Sequence, residues 1–472
     1  MKRAFPFLLL LLIAGGCQHD RRLSTQSQPA LEAYRAGLTQ SEQFDYTGAK
    51  SSFERAVAGD SLFAMAWLRL GLVHLQIEDL SRATECVDRA MALSADASKR
   101  EQLFIRMWYY RLHFNAGAAA ATADSLAMLY PDEKEVYLFR GNLYEQAKNF
   151  DAAIRCYQKA VQADTGYALA VMTLGYAYSN IGDRDKAIAQ MQRYIQLAPK
   201  EPDPRASYAD ILVRAGRFDE ALEQYRQSLL IKPDYWYSVR EIGNIDAIKG
   251  MLREAETQYH TSFGMLPRNR QLEATESSVE GRLALLRGKP EEAAARFRDA
   301  LAVDTLNVDA AFGYVHALAR SGRVAEAGDV LRRIQSELGR RGLLTSPSMA
   351  GYYLSASVVR MYGGDLTGAL VMCDSGFAYS TTQARAAIYR QMAEVNLRQH
   401  AFDDGLSACE EALALSPNSP DILLTLVRLY AASGDHRLAG EIGRRLLDFW
   451  KNADPDFAPR NEVLKLLSQK IS

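Results

Sequence analysis

The residues that could do chemistry are scattered along this chain and form no recognisable catalytic or metal-binding pattern. No two of the seven histidines are three or four residues apart, the spacing that would place two ligands on one helix face. No GxxxxGK[ST] loop, GxSxG turn, HExxH helix or paired-cysteine cluster occurs. Adjacent carboxylates such as Asp219-Glu220 begin predicted helices, where they complement the helix dipole. We therefore predict a protein that is not an enzyme and that holds neither a cofactor nor a metal ion.

The exception is Cys17, for which the sequence predicts a specific modification. The stretch MKRAFPFLLLLLIAGGC combines Lys2 and Arg3 with an apolar run and small residues, the layout of a secretory signal. The run is shorter than the roughly 20 residues that span a bilayer. Ala14-Gly15-Gly16-Cys17 resembles the bacterial lipobox, with Ala14 in place of the usual leucine. The resemblance implies removal of residues 1–16 and attachment of fatty acids such as palmitate to Cys17.

The predicted location follows from the same segment. Gln18 after the cysteine resembles the sorting pattern of lipoproteins in the outer membrane of Gram-negative bacteria. We therefore expect a bacterial envelope protein that is lipid-anchored at Cys17 in the outer membrane and faces the periplasm. The alternative is a plain signal peptide that leaves a soluble periplasmic protein. Residues 17–27 are polar and aperiodic, and we expect them to form a flexible tether.

The charge balance argues against a nucleic acid partner. The 472 residues include 56 Lys and Arg against 57 Asp and Glu, so the basic footprint that nucleic acid requires is absent. No block of like charges forms an acidic or basic tail. About half of the residues are hydrophobic and a quarter are charged, which is typical of a folded protein.

One period runs through the chain after the tether. A small residue recurs at Ala49, Ala83, Ala119, Ala153, Ala187, Ala221, Ala255, Ala293, Ala327, Ala369, Gly405 and Ala439. Seven of the eleven steps between these positions are equal, and the other four are longer by two to eight positions. A large residue is common four positions later, a glycine twelve positions earlier and a proline twelve positions later. The pattern therefore predicts that each repeat forms two helices in close contact. The proline, which cannot continue a helix, ends the second of them.

This pattern resembles the tetratricopeptide repeat, a helix–turn–helix unit of about 34 residues, which is also the length of the equal steps. AWLRLGLVHLQIEDLSRATECVDRA at 66–90 and LFRGNLYEQAKNFDAAIRCYQKA at 138–160 are good copies. The resemblance covers about 30–450 and implies an all-α solenoid of about twelve units in a right-handed superhelix. Each helix pair would cover the apolar face of its neighbour. We expect Phe218–Leu230 to be covered by the first helix of its own unit and by residues 235–263.

The predicted organisation has six parts. Residues 1–16 are the signal peptide, 17–27 the tether, 28–335 units 1–9, 336–351 a spacer, 352–450 units 10–12 and 451–472 a capping helix. Cys86, Cys156, Cys373 and Cys409 fall at or beside packing positions of separate units. Adjacent units lie about 10 Å apart, whereas a disulfide needs Cα atoms within about 7 Å. We therefore predict four buried free thiols.

The family resemblance also implies where a partner would bind. In the family the first helix of each pair lines an inner groove, chiefly at positions fifteen and eleven before the small residue. We predict groove residues at Tyr34, Leu38, Leu68, Leu72, Phe104, Trp108, Asn142, Tyr176, Arg240, Asn244, Arg282, His316, Arg390 and Arg428. The six in units 1–3 are apolar or aromatic, and they either bind a helix or extended peptide or become buried against the N-terminal segment. Arg240 and Asn244, in REIGN, resemble half of a clamp for a peptide carboxylate.

Two classes of non-catalytic function fit these features. The first is an envelope-anchored scaffold or adaptor that binds protein or peptide partners during assembly of a membrane or periplasmic complex. The alternative is a regulatory or sensory module that recruits signalling partners, because residues 30–72 resemble repeat regions attached to bacterial kinases and transcription regulators. This chain has no kinase or DNA-binding domain. An enzyme is disfavoured because the repeats leave no space for a catalytic domain. The sequence does not give the oligomeric state.

Overall fold

The chain folds into successive helical hairpins. The computed structural model describes residues 23–42, 45–77, 79–305, 307–340 and 346–468. In this part of the chain 25 α-helices form twelve hairpins and one final helix, with no strand. The first ten helices are α1 Gln28–Glu42, α2 Tyr46–Gly59, α3 Ala64–Gln76, α4 Leu80–Ala92, α5 Lys99–Leu112, α6 Ala116–Leu129, α7 Lys134–Gln146, α8 Phe150–Ala163, α9 Ala168–Asn180 and α10 Arg184–Leu197. The predicted all-α solenoid of about twelve units is confirmed.

The remaining helices continue the same alternation. They are α11 Asp203–Arg214, α12 Phe218–Ile231, α13 Trp236–Ile248, α14 Leu252–Gly264, α15 Arg270–Leu286, α16 Pro290–Val303, α17 Val308–Arg320, α18 Val324–Arg340, α19 Ser346–Tyr362, α20 Leu366–Phe377, α21 Thr382–Gln399, α22 Phe402–Leu415, α23 Pro420–Ser433, α24 His436–Phe449 and α25 Ala458–Ser468. Helix occupies 336–340 and 346–351 of the predicted spacer, because α18 and α19 are both longer than the usual hairpin helix.

The hairpins group into two compact units. Unit 1 comprises the described residues up to Tyr178 together with Ala189–Pro199, and unit 2 comprises Ser179–Ile188 and the described residues from Lys200 onward. Each is described separately below. The signal peptide, Cys17 and the first residues of the tether lie outside the described residues. The tether's last residues are held to unit 1, because the Ser24 backbone amide and hydroxyl donate to Glu101 and the Thr25 hydroxyl donates to Asp60.

Local sequence signals explain the starts of many second helices. An Asn or Asp side chain precedes the helix and accepts a hydrogen bond from a backbone amide of the first turn, as a helix N-cap does. Asn149 accepts from Ala152 at 3.2 Å and Asp365 accepts from Gly368 at 2.9 Å. The same arrangement is formed by Asp45, Asp79, Asn115 and Asp435. These contacts fix where each hairpin turns.

Among the described residues, the turn inside ten of the hairpins has a residue of positive φ, five positions before the small residue. It is glycine at Gly182, Gly216, Gly250, Gly288, Gly322, Gly364 and Gly434, with φ between +70° and +86°. Three hairpins have Phe114, Lys148 and His400 there instead, with φ of 56° or 59°. The left-handed conformation is one that side chains with a Cβ disfavour. The turn geometry is therefore kept even where the residue type opposes it.

The core consists of contacts between neighbouring hairpins. Phe218, Leu222 and Tyr225 of α12 pack with Leu212 of α11 and with Ile242 of α13. The expected cover is thus observed for Phe218, Leu222 and Tyr225, whereas Leu230 is 76% exposed and is not covered. Glycine on the first helices receives the large residue of the second helix: a Cβ at Gly141 would lie 2.2 Å from the Tyr157 ring. The predicted small-to-large packing is therefore present in atomic detail.

Candidate partner-binding surface

The first helices of successive hairpins form one layer, which identifies the inner side of each unit. In unit 2, α15, α17, α19, α21, α23 and α25 contact one another in that order, and in unit 1 α3 contacts α5. Among the described residues, second helices of successive hairpins form no comparable contact. Because successive first helices are closer together than successive second helices, the row of hairpins must curve, and the first helices line the inner side of the curve. The predicted groove positions all belong to this inner layer.

In unit 1 the predicted apolar groove is largely buried. Leu68 and Phe104 have no exposed surface, and Tyr34 is 2% exposed. Leu38, Leu72, Trp108 and Tyr176 are half-buried, whereas Asn142 is exposed. The Tyr34 ring lies 4.9 Å from the Phe63 ring. The prediction that Tyr34, Leu68 and Phe104 face a partner is therefore corrected, because in this structure these side chains join the hairpins together.

A charge cluster on the inner side of unit 1 explains this burial. The Arg69 guanidinium donates to both carboxylate oxygens of Glu135 at 2.7 and 2.8 Å, and it lies 5.2 Å from the centre of the Phe104 ring. Lys134 bonds Asp164 at 2.7 Å and Glu42 at 2.9 Å. Arg69 and Glu135 lie on first helices two repeats apart, and Lys134 and Glu42 lie three repeats apart. The inner curve of unit 1 is thus filled by its own side chains.

Arg69 and Glu135, the central pair of this cluster, are both charged. Burial by itself would raise the pKa of Glu135, but Arg69 outweighs it and the pKa lies below its ordinary value. Burial would likewise lower the pKa of Arg69, and Glu135 raises it well above the ordinary value. Breaking one partner would leave an uncompensated buried charge, which is strongly destabilising. We assign this cluster a structural role.

The two asparagines that were predicted to face the groove each accept a hydrogen bond from a tyrosine of the same repeat. The Tyr157 hydroxyl donates to Asn142 at 2.8 Å and the Tyr259 hydroxyl donates to Asn244 at 2.7 Å. Tyr225 makes the equivalent bond to Asp210 at 2.5 Å, a residue that the sequence analysis missed. All three pairs are 15 residues apart. That spacing, Asn or Asp eleven before and Tyr four after the small residue, was a detectable signal.

The REIGN segment is also engaged within the chain. Arg240 donates to Glu241 at 3.0 Å, and its guanidinium lies 4.9 Å from the Trp236 ring centre and 5.1 Å from that of Tyr237. Asn244 donates to Glu241 at 2.9 Å. Because Glu241 neutralises Arg240, this pair does not present an unpaired cation to a peptide carboxylate.

Arg428, at the far end of unit 2, is similarly neutralised. It donates to Glu394 at 2.5 Å and to both carboxylate oxygens of Glu462 at 2.7 Å. Burial would lower its pKa, but the two carboxylates raise it above its ordinary value. Arg428 thus ties α23 to α21 and α25.

Three arginines on first helices of unit 2 differ from Arg240 and Arg428 in that no carboxylate is hydrogen-bonded to them. Arg282 on α15, Arg320 on α17 and Arg390 on α21, here called the arginine patch, make no hydrogen bond or ion pair with any described residue. Arg282 and Arg320 are exposed and Arg390 is half-buried. Arg282 and Arg390 were predicted, whereas Arg320, the last residue of its helix, was missed.

Besides burial, the charges of Arg320 and Arg390, two members of the arginine patch, both lower the pKa of His316. Its Nε2 lies 3.1 Å from the Ser355 hydroxyl. Burial, followed by the positive charges of Arg320 and Arg390, lowers the pKa of His316 to about 4. His316 is therefore neutral near pH 7, and the net positive charge comes from the arginines. An anionic group would be attracted here.

Within the described residues, no three His, Cys, Asp or Glu side chains are arranged to hold a metal ion. The same part of the chain has no helix that is both long enough and apolar enough to cross a membrane. Cys86, Cys156, Cys373 and Cys409 are buried free thiols at the predicted packing positions. Cys17 lies outside the described residues.

Comparison with curated proteins gives distant relatives. Protein O-mannosyl-transferase TMTC1 of Homo sapiens is 24% identical over 237 residues, which are 48% of this chain and 26% of that protein. Cellulose synthase operon protein C of Pseudomonas fluorescens (strain SBW25) is 24% identical over 359 residues, 65% of this chain and 27% of that protein. The chain therefore spans about a quarter of the length of each of these relatives.

Comparison with solved structures gives proteins of low sequence identity that align to about half of this chain. A tetratricopeptide repeat protein from Parabacteroides merdae ATCC 43184 is 15% identical, with coverage of 51% of this chain and 93% of that chain and a TM-score of 0.40. PilW, described as a widely conserved type IV pilus biogenesis factor, is 15% identical, with coverage of 42% and 89% and a TM-score of 0.36.

Family models identify the repeat directly. One model described as Tetratricopeptide repeat matches residues 34–98, 109–168 and 279–340, and a second with the same description matches 144–205, 181–241 and 396–449. Together these matches cover more than half of the chain and coincide with the observed hairpins. The chain belongs to the tetratricopeptide repeat family.

Proposed function

We propose that this protein is a non-catalytic scaffold of the bacterial cell envelope, anchored by lipid at Cys17, that binds an acidic segment of a partner protein on the inner side of unit 2. Proteins of this repeat family generally mediate protein–protein interactions. The observation that carries the proposal is the arginine patch, whose three guanidinium groups form no hydrogen bond or ion pair with a described residue; Glu394, which the charge of Arg390 also reaches, is hydrogen-bonded to Arg428. Arginine is enriched at binding hot spots, and complementary charge speeds association.

The electrostatics of the surrounding inner side favour the patch over other candidate positions. Arg240 and Arg428 are already neutralised by glutamates, and in unit 1 Arg69 pairs with Glu135 and Lys134 with Asp164. Only unpaired charge attracts a partner without first breaking an internal contact. An extended acidic peptide suits a row of first helices, because about three residues of extended chain span the roughly 10 Å between neighbouring helices.

Peptide binding tests the proposed site. A fluorescent peptide rich in Glu and Asp should bind the full chain, and affinity should fall as salt rises because exposed charges are screened. Replacing Arg282, Arg320 and Arg390 with Glu should weaken binding at least about tenfold, equivalent to about 1.4 kcal/mol. The matched control replaces Arg298, Arg333 and Arg444, exposed arginines of second helices, with Glu. Equal losses in both triple variants would reject the inner site.

Labelling and fractionation test the proposed anchor separately. Cells supplied with radioactive palmitate should label the wild-type chain, which should fractionate with the outer membrane. Cys17→Ala should lose both the label and the membrane association, because acyl chains supply the attachment. A Cys17→Ala chain that remains in the membrane fraction would refute lipid anchoring at this residue.

A further inference from the structure

The residues after the last hairpin fold back onto a much earlier part of unit 2. The Trp450 indole Nε1 donates to the Ile248 carbonyl at 3.0 Å, and the Asp454 amide donates to the Gly250 carbonyl at 2.9 Å. Ile248 and Gly250 lie at the turn of the seventh hairpin, five repeats before Trp450. We call residues 450–468, which comprise this loop and helix α25, the C-terminal clasp. The clasp joins two distant points of one row of hairpins.

This contact belongs to the hydrophobic core of unit 2. Trp450 and Phe457 are 1% and 2% exposed, and they share one buried cluster with Leu252 at the start of α14. A Cβ on Gly250 would lie 2.7 Å from the Phe457 ring, so the turn and the clasp fit closely. In a typical helical repeat array each hairpin contacts only its neighbours. Here the seventh hairpin is also held to the residues that follow the twelfth.

One end of the arginine patch is tied to the clasp through α15. Arg287 directly follows α15, the helix that carries Arg282, and its guanidinium lies 3.3 Å from the Asp456 carboxylate. The next residue is also in contact with the clasp, because a Cβ on Gly288 would lie 3.2 Å from Ala458 Cβ. The C-terminal end of α15 is therefore fixed against the clasp.

The other end of the arginine patch is tied to the clasp through α21. Arg428 of α23 donates both to Glu462 of α25 and to Glu394 of α21. The Thr425 hydroxyl donates to the same Glu394 carboxylate at 2.7 Å. Glu394 lies about one helical turn after Arg390. Since α25 also packs on α23 and α24, the clasp reaches the helix of Arg390 through one intervening side chain.

We propose that the C-terminal clasp positions the arginine patch by fixing the distance between α15 and α21. All three arginines lie on first helices between the two points that the clasp joins. Without it, a small change in rotation at each repeat would add up along the row and alter the spacing of the arginines. Charges that are already held at their spacing bind a partner with less loss of conformational freedom. The positioning role rests on the proposed function, whereas the fixed distance does not.

Distance measurements by pulsed electron paramagnetic resonance test the clasp without a partner. In a full chain with Cys17→Ala, spin labels at Glu273→Cys on α15 and Arg385→Cys on α21 report the separation of these helices. Both positions are exposed, and the four native thiols of the described residues are buried. The distance distribution should be narrow, and Phe457→Ala should widen it at least about twofold because the row is then free to flex. Equal widths would overturn the proposal.

Controls distinguish positioning from general loosening. Labels at Glu273→Cys and Asp309→Cys, on the neighbouring helices α15 and α17, should give the same distribution with and without Phe457→Ala. Phe53→Ala, at an equally buried phenylalanine of unit 1, should leave the distance between α15 and α21 unchanged. Widening between α15 and α17 would contradict the proposal.

A conservative variant keeps the test decisive if Phe457→Ala loses helical content. Trp450→Phe retains an aromatic ring but removes the hydrogen bond to Ile248. It should also widen the distribution between α15 and α21 while circular dichroism stays unchanged. A folded Trp450→Phe chain with the narrow distribution of the unaltered clasp would then count against positioning by this contact.

Peptide binding separates the clasp from the binding site. Phe457→Ala should weaken binding of the acidic peptide at least about threefold, because the site is no longer held in its binding arrangement. The dependence of affinity on salt should stay the same, since no charge is removed, whereas loss of an arginine would reduce it. If the unaltered chain binds no peptide, the proposed function and the positioning role both fail, and the distances still judge the clasp. Equal affinities would show that the clasp does not position the site.

Discussion

At the scale of single residues, the structure reuses one backbone conformation at a fixed place in the repeat. In the part of the chain that the structure describes, ten hairpins have a residue of positive φ five positions before the small residue, and in seven it is glycine. Phe114 occupies this position with φ of 56° and is also 84% exposed. It therefore combines an unfavourable backbone conformation with an apolar side chain in water. The conformation is held by the backbone hydrogen bonds of the turn, from the Phe114 amide to Arg111 and from the Asn115 amide to Tyr110.

Phe114→Gly should therefore stabilise unit 1. Glycine removes a left-handed penalty of about 1 kcal/mol, and an exposed ring loses little packing. The midpoint of thermal unfolding, followed by circular dichroism, should rise. The reciprocal control is Gly182→Ala, at φ of 83° with open space around its Cβ, which should lower the midpoint by a similar free energy. No change in either variant would show that the turn relaxes at no cost.

Asp246 predicts a specific pH dependence. Burial raises its pKa to about 6, with Glu254 adding to the rise and Lys249 and Arg226 opposing it. The folded state thus binds a proton more tightly than the unfolded chain. The free energy of unfolding therefore falls as pH rises from about 4 to about 6, and the loss due to Asp246 stays constant at higher pH. Asp246→Asn should be more stable than wild type by about 1–3 kcal/mol at pH 7.5.

Urea unfolding at two pH values checks this assignment. The stability difference between Asp246→Asn and wild type should shrink markedly at pH 4.5, where the buried carboxyl is mostly protonated. A difference that is equal at pH 4.5 and 7.5 would mean that the substitution acts through packing and not through the charge.

At the scale of helices, glycine determines how closely hairpins stack. The Phe297 ring of α16 lies between Gly281 of α15 and Gly313 of α17, and a Cβ would come within 2.9 Å and 2.5 Å of the ring, respectively. Phe297 has no exposed surface. The large residue of one repeat therefore contacts the first helices of its own repeat and of the next, which propagates the stack.

Gly313→Ala should destabilise unit 2 although alanine is the better helix former. Overpacking against Phe297 costs about 1–3 kcal/mol, which outweighs the gain in helix propensity of about 1 kcal/mol. Gly117→Ala is the matched control, because its Cβ would meet nothing within 4 Å and only the propensity gain remains. Thermal unfolding should show opposite shifts for the two variants. A rise in both would refute the packing role of Gly313.

The sequence was most informative about the helices and the hairpins that they form. The twelve hairpins, the caps such as Asn149 and the cover of Phe218, Leu222 and Tyr225 all follow from contacts between residues within about one repeat. The prediction of groove residues was wrong for Leu68 and Phe104, because it considered each helix separately and did not include how tightly the row of hairpins curves. A pattern that spans a single repeat carries no information about side chains such as Arg69 and Glu135, which meet across an intervening repeat.

At the scale of the whole molecule, the thiols report on both the fold and the proposed anchor. Burial raises the pKa of Cys86 and Cys373 to about 11 and that of Cys409 to about 12, and it also raises the pKa of Cys156. All four are therefore protonated and shielded near pH 7, and reactive thiolate is scarce.

Thiol titration of the protein extracted from membranes should give almost no fast reaction under native conditions. After denaturation without reductant, four thiols should react if Cys17 is acylated. Fewer than four would reveal disulfides and contradict the packing argument. A fifth thiol would show that Cys17 is free, which separates the anchor from the fold.

The sequence alone determined the repeat, the number of hairpins and the residues that pack each hairpin on the next, because those contacts are local and recur in every repeat. Only the tertiary structure decided which inner side chains are buried, which arginines remain unpaired and where unit 2 meets itself. These features depend on the small rotation between hairpins, summed over two repeats for Arg69 and Glu135 and over five for Trp450 and Ile248, which are joined by a hydrogen bond. The four longer steps between repeats alter that sum, and no single repeat encodes the total.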